Sequence, residues 1–213
     1  MSEISVGGTR FYPDELRDLA VAWVALGVGF SIFILNPPVS PGMLEAFASP
    51  EFAQVLLISM LTVGVGFLLH ELAHKVVAVR FGQIAAFRAD YGMLALCIGA
   101  ALAGFLFAAP GAVYHRGRIT ERQNGLVAVA GPLTNVALVA VFLPFLLFEG
   151  VLGSVGEFGV LINAVLAAFN MIPFGPLDGR KVKNWNFGVF GATLVLTVGL
   201  AVVAFGRIGF PGV

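Results

Sequence analysis

The sequence predicts an all-α polytopic membrane protein of five to six membrane segments, one of them re-entrant, with a core helix bundle that carries a metal site. Three observations support this fold class. Of the 213 residues, 59% are hydrophobic and 11% are charged, whereas an ordinary soluble domain carries about 25% charged residues. The mean hydropathy is +0.96, and several apolar stretches reach the roughly 18 residues that a helix needs to cross a bilayer. One of these stretches contains two histidines and a glutamate.

Six apolar stretches are the candidate segments, in chain order 19–35, 54–79, 93–110, 125–148, 158–171 and 187–205. The first follows an N-terminus with four acids and two arginines, unlike the basic start of a cleaved signal, so we interpret it as a retained span. The fifth is short unless it begins within 151–157. No repeat or long linker divides the chain, which predicts a single membrane-embedded domain over 1–213, with its core motifs in 54–183.

The distribution of lysine and arginine favours five crossings. These residues concentrate in short cytoplasmic loops. If segment 93–110 enters and leaves by the same face, eleven of the twelve lie on the cytoplasmic side and Arg207 alone lies outside. If 93–110 crosses, the rule is broken. Gly99 and Gly104 could provide the bend of a re-entrant hairpin.

The formal net charge is zero, so no nucleic-acid partner is expected. The chain has a single cysteine, Cys97, which excludes an internal disulfide.

The stretch His70-Glu71-Leu72-Ala73-His74 indicates a metal site. Histidines four residues apart lie on one helix face, and the glutamate is displaced by only ~100°, where it can act as a general base without being a ligand. Ionisable groups at membrane depth cost several kcal/mol unless they are paired or coordinated. Lys75 is less informative, because near a helix end its side chain can extend to the membrane interface.

A third ligand is expected from the segment 170–180, NMIPFGPLDGR. The only other histidine, His115, lies in a basic loop, whereas Asp178 follows two prolines that stop the fifth segment and free its backbone carbonyls. An even number of crossings between His74 and Asp178 would bring them to the same face. The five-crossing topology provides this, so the charge distribution and the metal site favour the same arrangement.

These motifs resemble the site-2 protease family of intramembrane zinc metalloproteases. The matching residues are HELAH at 70–74, GPLTN at 131–135, similar to the family's GPxxN, and the segment from Asn170 to Gly179, similar to its NxxPxxPxxDG. The resemblance covers about 54–183. It implies a compact member without PDZ or CBS domains. Two features depart from the family: Arg180 replaces a frequent second glycine, and the apolar 93–110 is unusually long and could form part of a substrate gate.

The resemblance implies the following roles. His70, His74 and Asp178 are ligands of one zinc ion, and Glu71 activates water. Asn170 holds the substrate carbonyl or the developing oxyanion, unless it only caps the broken helix. Asn135 contributes polar contacts near the substrate, although helix packing explains it equally well. A set of two histidines and a carboxylate can also bind iron or cobalt.

The predicted reaction is hydrolysis of peptide bonds within or near the transmembrane segment of single-span membrane proteins. The resemblance places this activity in regulated intramembrane proteolysis, in a multi-pass protein of the cell membrane whose site is accessible from the cytoplasm. Two alternatives are a catalytically inactive scaffold that binds membrane helices and a divalent-cation transporter. An intact metal-binding motif counts against the scaffold, and a transporter would show repeated halves with interrupted helices in matching positions.

Overall fold

The computed structural model describes residues 4–37, 42–106 and 109–209. Within these ranges the helices, in chain order, are α1 (Pro13–Leu35), α2 (Met43–Phe47), α3 (Pro50–Ser59), α4 (Val65–Arg80), α5 (Tyr91–Leu102), α6 (Glu121–Phe142), α7 (Gly150–Asn170), α8 (Asp178–Trp185) and α9 (Phe187–Ile208). The strands are β1 (Ile4–Val6), β2 (Thr9–Phe11), β3 (Ile84–Ala89) and β4 (Gly111–Arg116). A π-helical turn joins α3 to α4, and a 3-10 turn continues α6.

Five continuous helical stretches in the described part of the chain are long and apolar enough to cross a membrane. They are Pro13–Leu35, Pro50–Arg80, Glu121–Leu147, Gly150–Asn170 and Phe187–Ile208. This confirms the prediction of an all-α polytopic membrane protein. The remaining apolar helix, α5, is too short to cross.

Several spans begin earlier than the apolar stretches predict, because polar residues start the helices. The second begins at Pro50 instead of 54, where the Ser49 side chain accepts a hydrogen bond from the Phe52 amide. The span predicted at 125–148 begins at Glu121, after a capping box formed by Thr120 and Gln123. The span predicted at 158–171 begins at Gly150, so α7 has 21 residues and is long enough to cross.

The segment between β3 and β4 leaves and returns at one edge of the bundle. The two strands pair antiparallel, from Ile84 opposite Arg116 to Ala89 opposite Gly111. Beyond the last pair, the Asp90 amide donates to the Pro110 carbonyl at 3.1 Å. Because its two ends are hydrogen-bonded to each other, the apolar stretch 93–110 makes no net crossing, as the re-entrant interpretation requires. Residues 107–108 of this stretch lie outside the described residues.

Of the two glycines suggested for the bend, Gly104 lies just beyond the end of α5, whereas Gly99 lies inside this helix and makes no bend. The φ of Gly104 is +77°, a left-handed conformation that glycine adopts without steric cost. The Phe105 amide donates to the Ala100 carbonyl and the Gly104 amide donates to the Ala101 carbonyl. This pair of bonds is a Schellman motif, which closes the helix and turns the chain back.

Helices α4, α6 and α7 form the core of the bundle: α4 and α7 both pack against α6, and α8 packs against α6 as well. The π-helical turn Met60–Gly64 faces α1, where the Trp23 indole donates to the Met60 carbonyl at 2.9 Å. The metal-site motif on α4 is therefore held between α1 on one side and α6 on the other.

Lys75 does not extend to the membrane interface, contrary to the expectation from its position in the sequence. Its side chain is fully buried, and its Nζ donates to Glu15 Oε1 at 2.6 Å and lies 4.0 Å from the centre of the Phe11 ring. Glu15, on α1, is also fully buried. A buried counter-ion 60 positions away satisfies the ammonium, so the group need not reach the polar phase to avoid the cost of an unpaired charge.

Candidate metal centre

Three side chains converge between the middle of α4 and the start of α8. His70 and His74 lie one turn apart on α4, and Asp178 is the first residue of α8. Asp178 Oδ2 lies 3.3 Å from His70 Nε2 and 3.1 Å from His74 Nε2. All three residues are buried, with 4%, 7% and 6% of their surfaces exposed. The structure thus brings together the three residues predicted as ligands.

The other nitrogen of each imidazole is held by a neighbouring oxygen. His74 Nδ1 lies 2.7 Å from the Val127 carbonyl, and His70 Nδ1 lies 2.6 Å from Asn135 Oδ1. A carbonyl can only accept, so the proton of His74 must be on Nδ1. Asn135 uses its Nδ2 for Gly66 and Asn163, so its oxygen faces His70 and assigns that proton to Nδ1 as well. Both Nε2 atoms therefore present lone pairs toward Asp178.

This arrangement fits a zinc ion. Ligand atoms at 2.0–2.1 Å from a tetrahedral zinc are separated by roughly 3.3–3.4 Å, close to the two distances to Asp178 Oδ2. Zinc-binding histidines commonly donate their second ring N–H to a carbonyl or carboxylate oxygen, as His70 and His74 do here. A carboxylate coordinates a metal in its ionised form, and two neutral imidazoles with one carboxylate are a ligand set that zinc accepts.

Glu71 lies beside this cluster and contacts the neighbouring hairpin. One ligand atom from each of His70, Glu71 and His74 lies within 4.8 Å of the others. Glu71 Oε2 accepts a hydrogen bond from the Val113 amide of β4 at 2.9 Å. A carboxylate has several acceptor positions, so this bond leaves Glu71 able to accept a proton. Its position beside the predicted ligands is the one expected of a general base.

The backbones of α6 and of the loop before α8 approach closely to allow this convergence. Gly131 of α6 packs directly against the two imidazoles, and a Cβ there would lie 2.5 Å from His70 Nε2. Gly179 of α8 packs against the Met171 carbonyl in the same way. Met171 and Val182 are fully buried in the cluster that joins α8 to α6. These contacts fold the loop 171–177 back, so that α8 begins at the metal centre.

The two predicted asparagines differ in their relation to the centre. Asn135 is fully buried behind His70 and all of its polar atoms have partners. In this arrangement it holds the His70 ring and offers no surface to a substrate. Asn170 ends α7, and its amide donates to the Leu166 carbonyl at 3.0 Å instead of to a member of the cluster. This contact is within the end of its own helix, in line with the alternative that Asn170 only caps the broken helix.

Sequence reasoning missed two groups near the centre and did not find the surroundings of a third, His115. Asn163 is fully buried and bonded to Asn135; a polar residue inside the apolar segment 158–171 was a signal that could have identified it. The Val113 amide has no signal, because every residue except proline has such a donor. His115 lies half-buried on β4, and its burial and the nearby charge of Lys181 lower its pKa. The residues that surround His115 in space are distant in the sequence, so they could not be inferred from the basic stretch in which it lies.

Two curated proteins resemble this chain in sequence. The chain is 46% identical over 183 residues to "Putative zinc metalloprotease MJ0611" of Methanocaldococcus jannaschii, a match that covers 83% of this chain and 87% of that protein. It is 33% identical over 146 residues to "Putative zinc metalloprotease YwhC" of Bacillus subtilis, which covers 58% of this chain and 66% of that protein. No protein-family model and no solved structure matches significantly.

Proposed function

Because this chain belongs to the zinc metalloprotease family of these relatives, we propose that it is an intramembrane peptidase of the site-2 type. It hydrolyses peptide bonds within or near the transmembrane segment of membrane-protein substrates, in the manner of regulated intramembrane proteolysis. The observation that carries this proposal is the convergence of His70, His74 and Asp178 around one point, with Glu71 beside it. The two histidines and Glu71 lie on a helix long and apolar enough to cross a membrane.

The proposed chemistry assigns one task to each side chain. When bound by His70, His74 and Asp178, zinc supplies a Lewis acid that polarises the scissile carbonyl and makes water more acidic. Glu71 accepts the proton of the attacking water and transfers it to the leaving amine, which keeps the proton count balanced. The Val127 carbonyl and Asn135 hold the two imidazoles in the orientation that keeps Nε2 free.

Asn170 is proposed to contact the reacting carbonyl of the substrate. It lies at the end of α7, eight residues before Asp178. For this role its amide must exchange the Leu166 carbonyl for the substrate oxygen. Hydrogen bonds of this kind are often completed only when substrate is bound. A side-chain amide can stabilise negative charge that develops on that oxygen.

The site constrains the form and direction of the substrate. An intact helix hides its carbonyls in internal hydrogen bonds, so the substrate must unwind locally to reach the cluster. Asp178 and the exposed Lys181 lie at the same end of the bundle, 3.7 Å apart. We propose that this end faces the cytoplasm, that water enters there, and that the substrates are single-span proteins of the cell membrane.

The test is cleavage of a reconstituted single-span substrate by the purified protein, with zinc content measured on each variant. In Glu71→Gln the zinc content should stay near one ion per chain while the cleavage rate falls by at least about 100-fold, the contribution of a general base. Glu157→Gln is the matched control. It neutralises an exposed acid of α7 outside the centre and should cleave normally.

Two results would contradict the proposal. If Glu71→Gln cleaves as fast as the native protein, Glu71 is not the base. If the native protein binds zinc but cleaves no substrate in a panel of single-span proteins, it is not a peptidase of this type. The hypothesis of a helix-binding scaffold or of a divalent-cation transporter then takes its place. Helix binding and zinc flux into vesicles would then distinguish these two.

A further inference from the structure

Three buried polar side chains form a continuous series of hydrogen bonds from α4 through α6 to α7. His70 Nδ1 faces Asn135 Oδ1 at 2.6 Å, and Asn135 Nδ2 donates to Asn163 Oδ1 at 2.8 Å. Asn163 Nδ2 in turn donates to the Gly159 carbonyl of its own helix at 2.9 Å. Asn135 and Asn163 are both fully buried. The series ends on a backbone carbonyl, which can only accept.

We infer that Asn163 is a positioning residue for the metal centre: it sets the orientation of the Asn135 amide, and through it the His70 tautomer that leaves Nε2 free to bind metal. Asn163 itself lies outside the ligand set. This inference rests on the proposed function, because it assigns a role to Asn163 only if His70 binds a metal.

The orientation of Asn135 matters because its amide has a donor end and an acceptor end. With the oxygen toward His70, the ring carries its proton on Nδ1 and Nε2 has a lone pair. With the amide reversed, Nδ2 would face His70 Nδ1, the proton would move to Nε2, and the nitrogen next to Asp178 could not bind a metal. The rotation of one side chain therefore controls whether His70 can act as a ligand.

Asn163 is the stronger of the two anchors that select this orientation. The other acceptor of Asn135 Nδ2 is the Gly66 carbonyl at 3.3 Å, a long bond compared with ordinary N–H···O distances of about 2.9–3.0 Å. Asn163 cannot reverse without placing two donors against each other and leaving the Gly159 carbonyl opposite an oxygen. Gly66 also makes room for this contact, since a Cβ at that position would lie 2.6 Å from Asn163 Oδ1.

A purely structural role for Asn163 predicts a different result. Asparagines often join helices inside membranes by hydrogen bonds, and loss of such a bond lowers stability. A structural residue would lower the free energy of unfolding when it is replaced and would leave zinc affinity unchanged. A positioning residue acts through Asn135, so its effect on zinc binding should disappear when Asn135 is removed.

The experiment is a double-mutant cycle on zinc affinity, measured on the full chain in detergent by competition with a chelator. Asn163→Leu should weaken zinc binding about 10- to 100-fold, as changes to residues that orient metal ligands do. Asn135→Ala should weaken it to a similar degree, and the double variant should bind no more weakly than Asn135→Ala alone. Thr197→Val is the control: Thr197 is fully buried in α9 and bonds to Leu194 of its own helix, so zinc affinity should not change.

Three outcomes separate this inference from the proposed function. A native protein without zinc affinity would overturn both. Native zinc affinity in Asn163→Leu would overturn the inference alone. So would a loss of zinc affinity from Asn163→Leu that is equally large in the Asn135→Ala background.

If Asn163→Leu does not fold, Asn163→Thr replaces it. Threonine can still donate to the carbonyl one turn earlier, as Thr62 does to Ile58, but it is too short to reach Asn135, so the same loss is expected.

Discussion

At the scale of single residues, Gly131 sets how closely α6 approaches the metal centre. A Cβ at this position would lie 2.5 Å from His70 Nε2 and 2.6 Å from His74 Cε1. Separations below 3 Å between such atoms force one of them to move. The atoms that would move belong to the two imidazoles, which are also held by Asn135 and Val127. A single methyl group is therefore enough to disturb the ligand set.

We expect Gly131→Ala to weaken zinc binding by about 10-fold or more, comparable to the loss of a residue that orients a ligand. The helix itself should not suffer, because alanine favours a helix by about 1 kcal/mol over glycine. Zinc affinity measured by chelator competition checks this. Gly191→Ala in α9 is the control, since a Cβ there meets nothing within 4 Å. Equal zinc affinity in both variants would show that the imidazoles can move at no cost.

At the scale of secondary-structure elements, the β3–β4 hairpin is held from both sides by glutamates. Phe87 and Val113 are opposite each other in the register. The Phe87 amide donates to Glu15 Oε1 at 3.0 Å, and the Val113 amide donates to Glu71 Oε2 at 2.9 Å. Glu15 is also paired with Lys75, one turn after Glu71 on α4. The buried ion pair thus joins α1, α4 and the hairpin next to the proposed base.

Removal of one partner of this ion pair should destabilise the protein strongly. We expect Lys75→Met to lower the free energy of unfolding by about 3–5 kcal/mol, because Glu15 is left buried without a counter-ion. The double variant Glu15→Gln with Lys75→Met should lose less, since no buried charge remains and glutamine can still accept from the Phe87 amide. Denaturant titration in detergent measures both.

Lys183→Met on α8 provides the control for this prediction. Lys183 is exposed, so its replacement should change the free energy of unfolding by no more than about 0.5 kcal/mol. The prediction is wrong if the double variant has a lower free energy of unfolding than Lys75→Met. In that case the unpaired charge of Glu15 is not the main cost of losing Lys75.

At the scale of the whole molecule, five spans place the two described ends of the chain on opposite faces of the membrane. The hairpin β3–β4 and helix α8 both follow spans that end at the same face as the start of α1. Most lysines and arginines lie at this face, and Arg207 lies near the end of α9 at the other. The charge distribution predicts that the basic face is cytoplasmic.

Cysteine labelling tests this orientation. In a Cys97→Ala background, a membrane-impermeant maleimide should label Arg207→Cys in intact cells, and should label Lys183→Cys only after the cells are opened. Both positions are exposed, and the native Cys97 is buried, so its replacement removes little background. Labelling of Lys183→Cys in intact cells would reverse the orientation, and labelling of both sites from one side would contradict five crossings.

The sequence by itself determined the features that depend on composition, on spacing within a helix and on the order of the spans along the chain. Hydropathy along the chain identified the spans, although their polar first turns were missed, because capping residues are not apolar. Helical periodicity placed His70 and His74 on one face, and counting the crossings placed Asp178 near them. The re-entrant stretch followed from the distribution of charges. The spans and the histidine pair follow from composition and spacing within a segment. The placement of Asp178 and of the re-entrant stretch follows from the order of spans and charges along the whole chain.

Only the tertiary structure decided the contacts between distant segments. Lys75 and Glu15 are 60 positions apart, and His70 and Asn135 are 65; nothing in the local sequence names such partners. The bond from Val113 to Glu71 uses a backbone amide, a group that nearly every residue possesses. Packing of the helices selects one partner among many possible ones. The residues proposed as metal ligands could therefore be named from the sequence, whereas the groups that orient them depend on how α1, α4, α6 and α7 pack together.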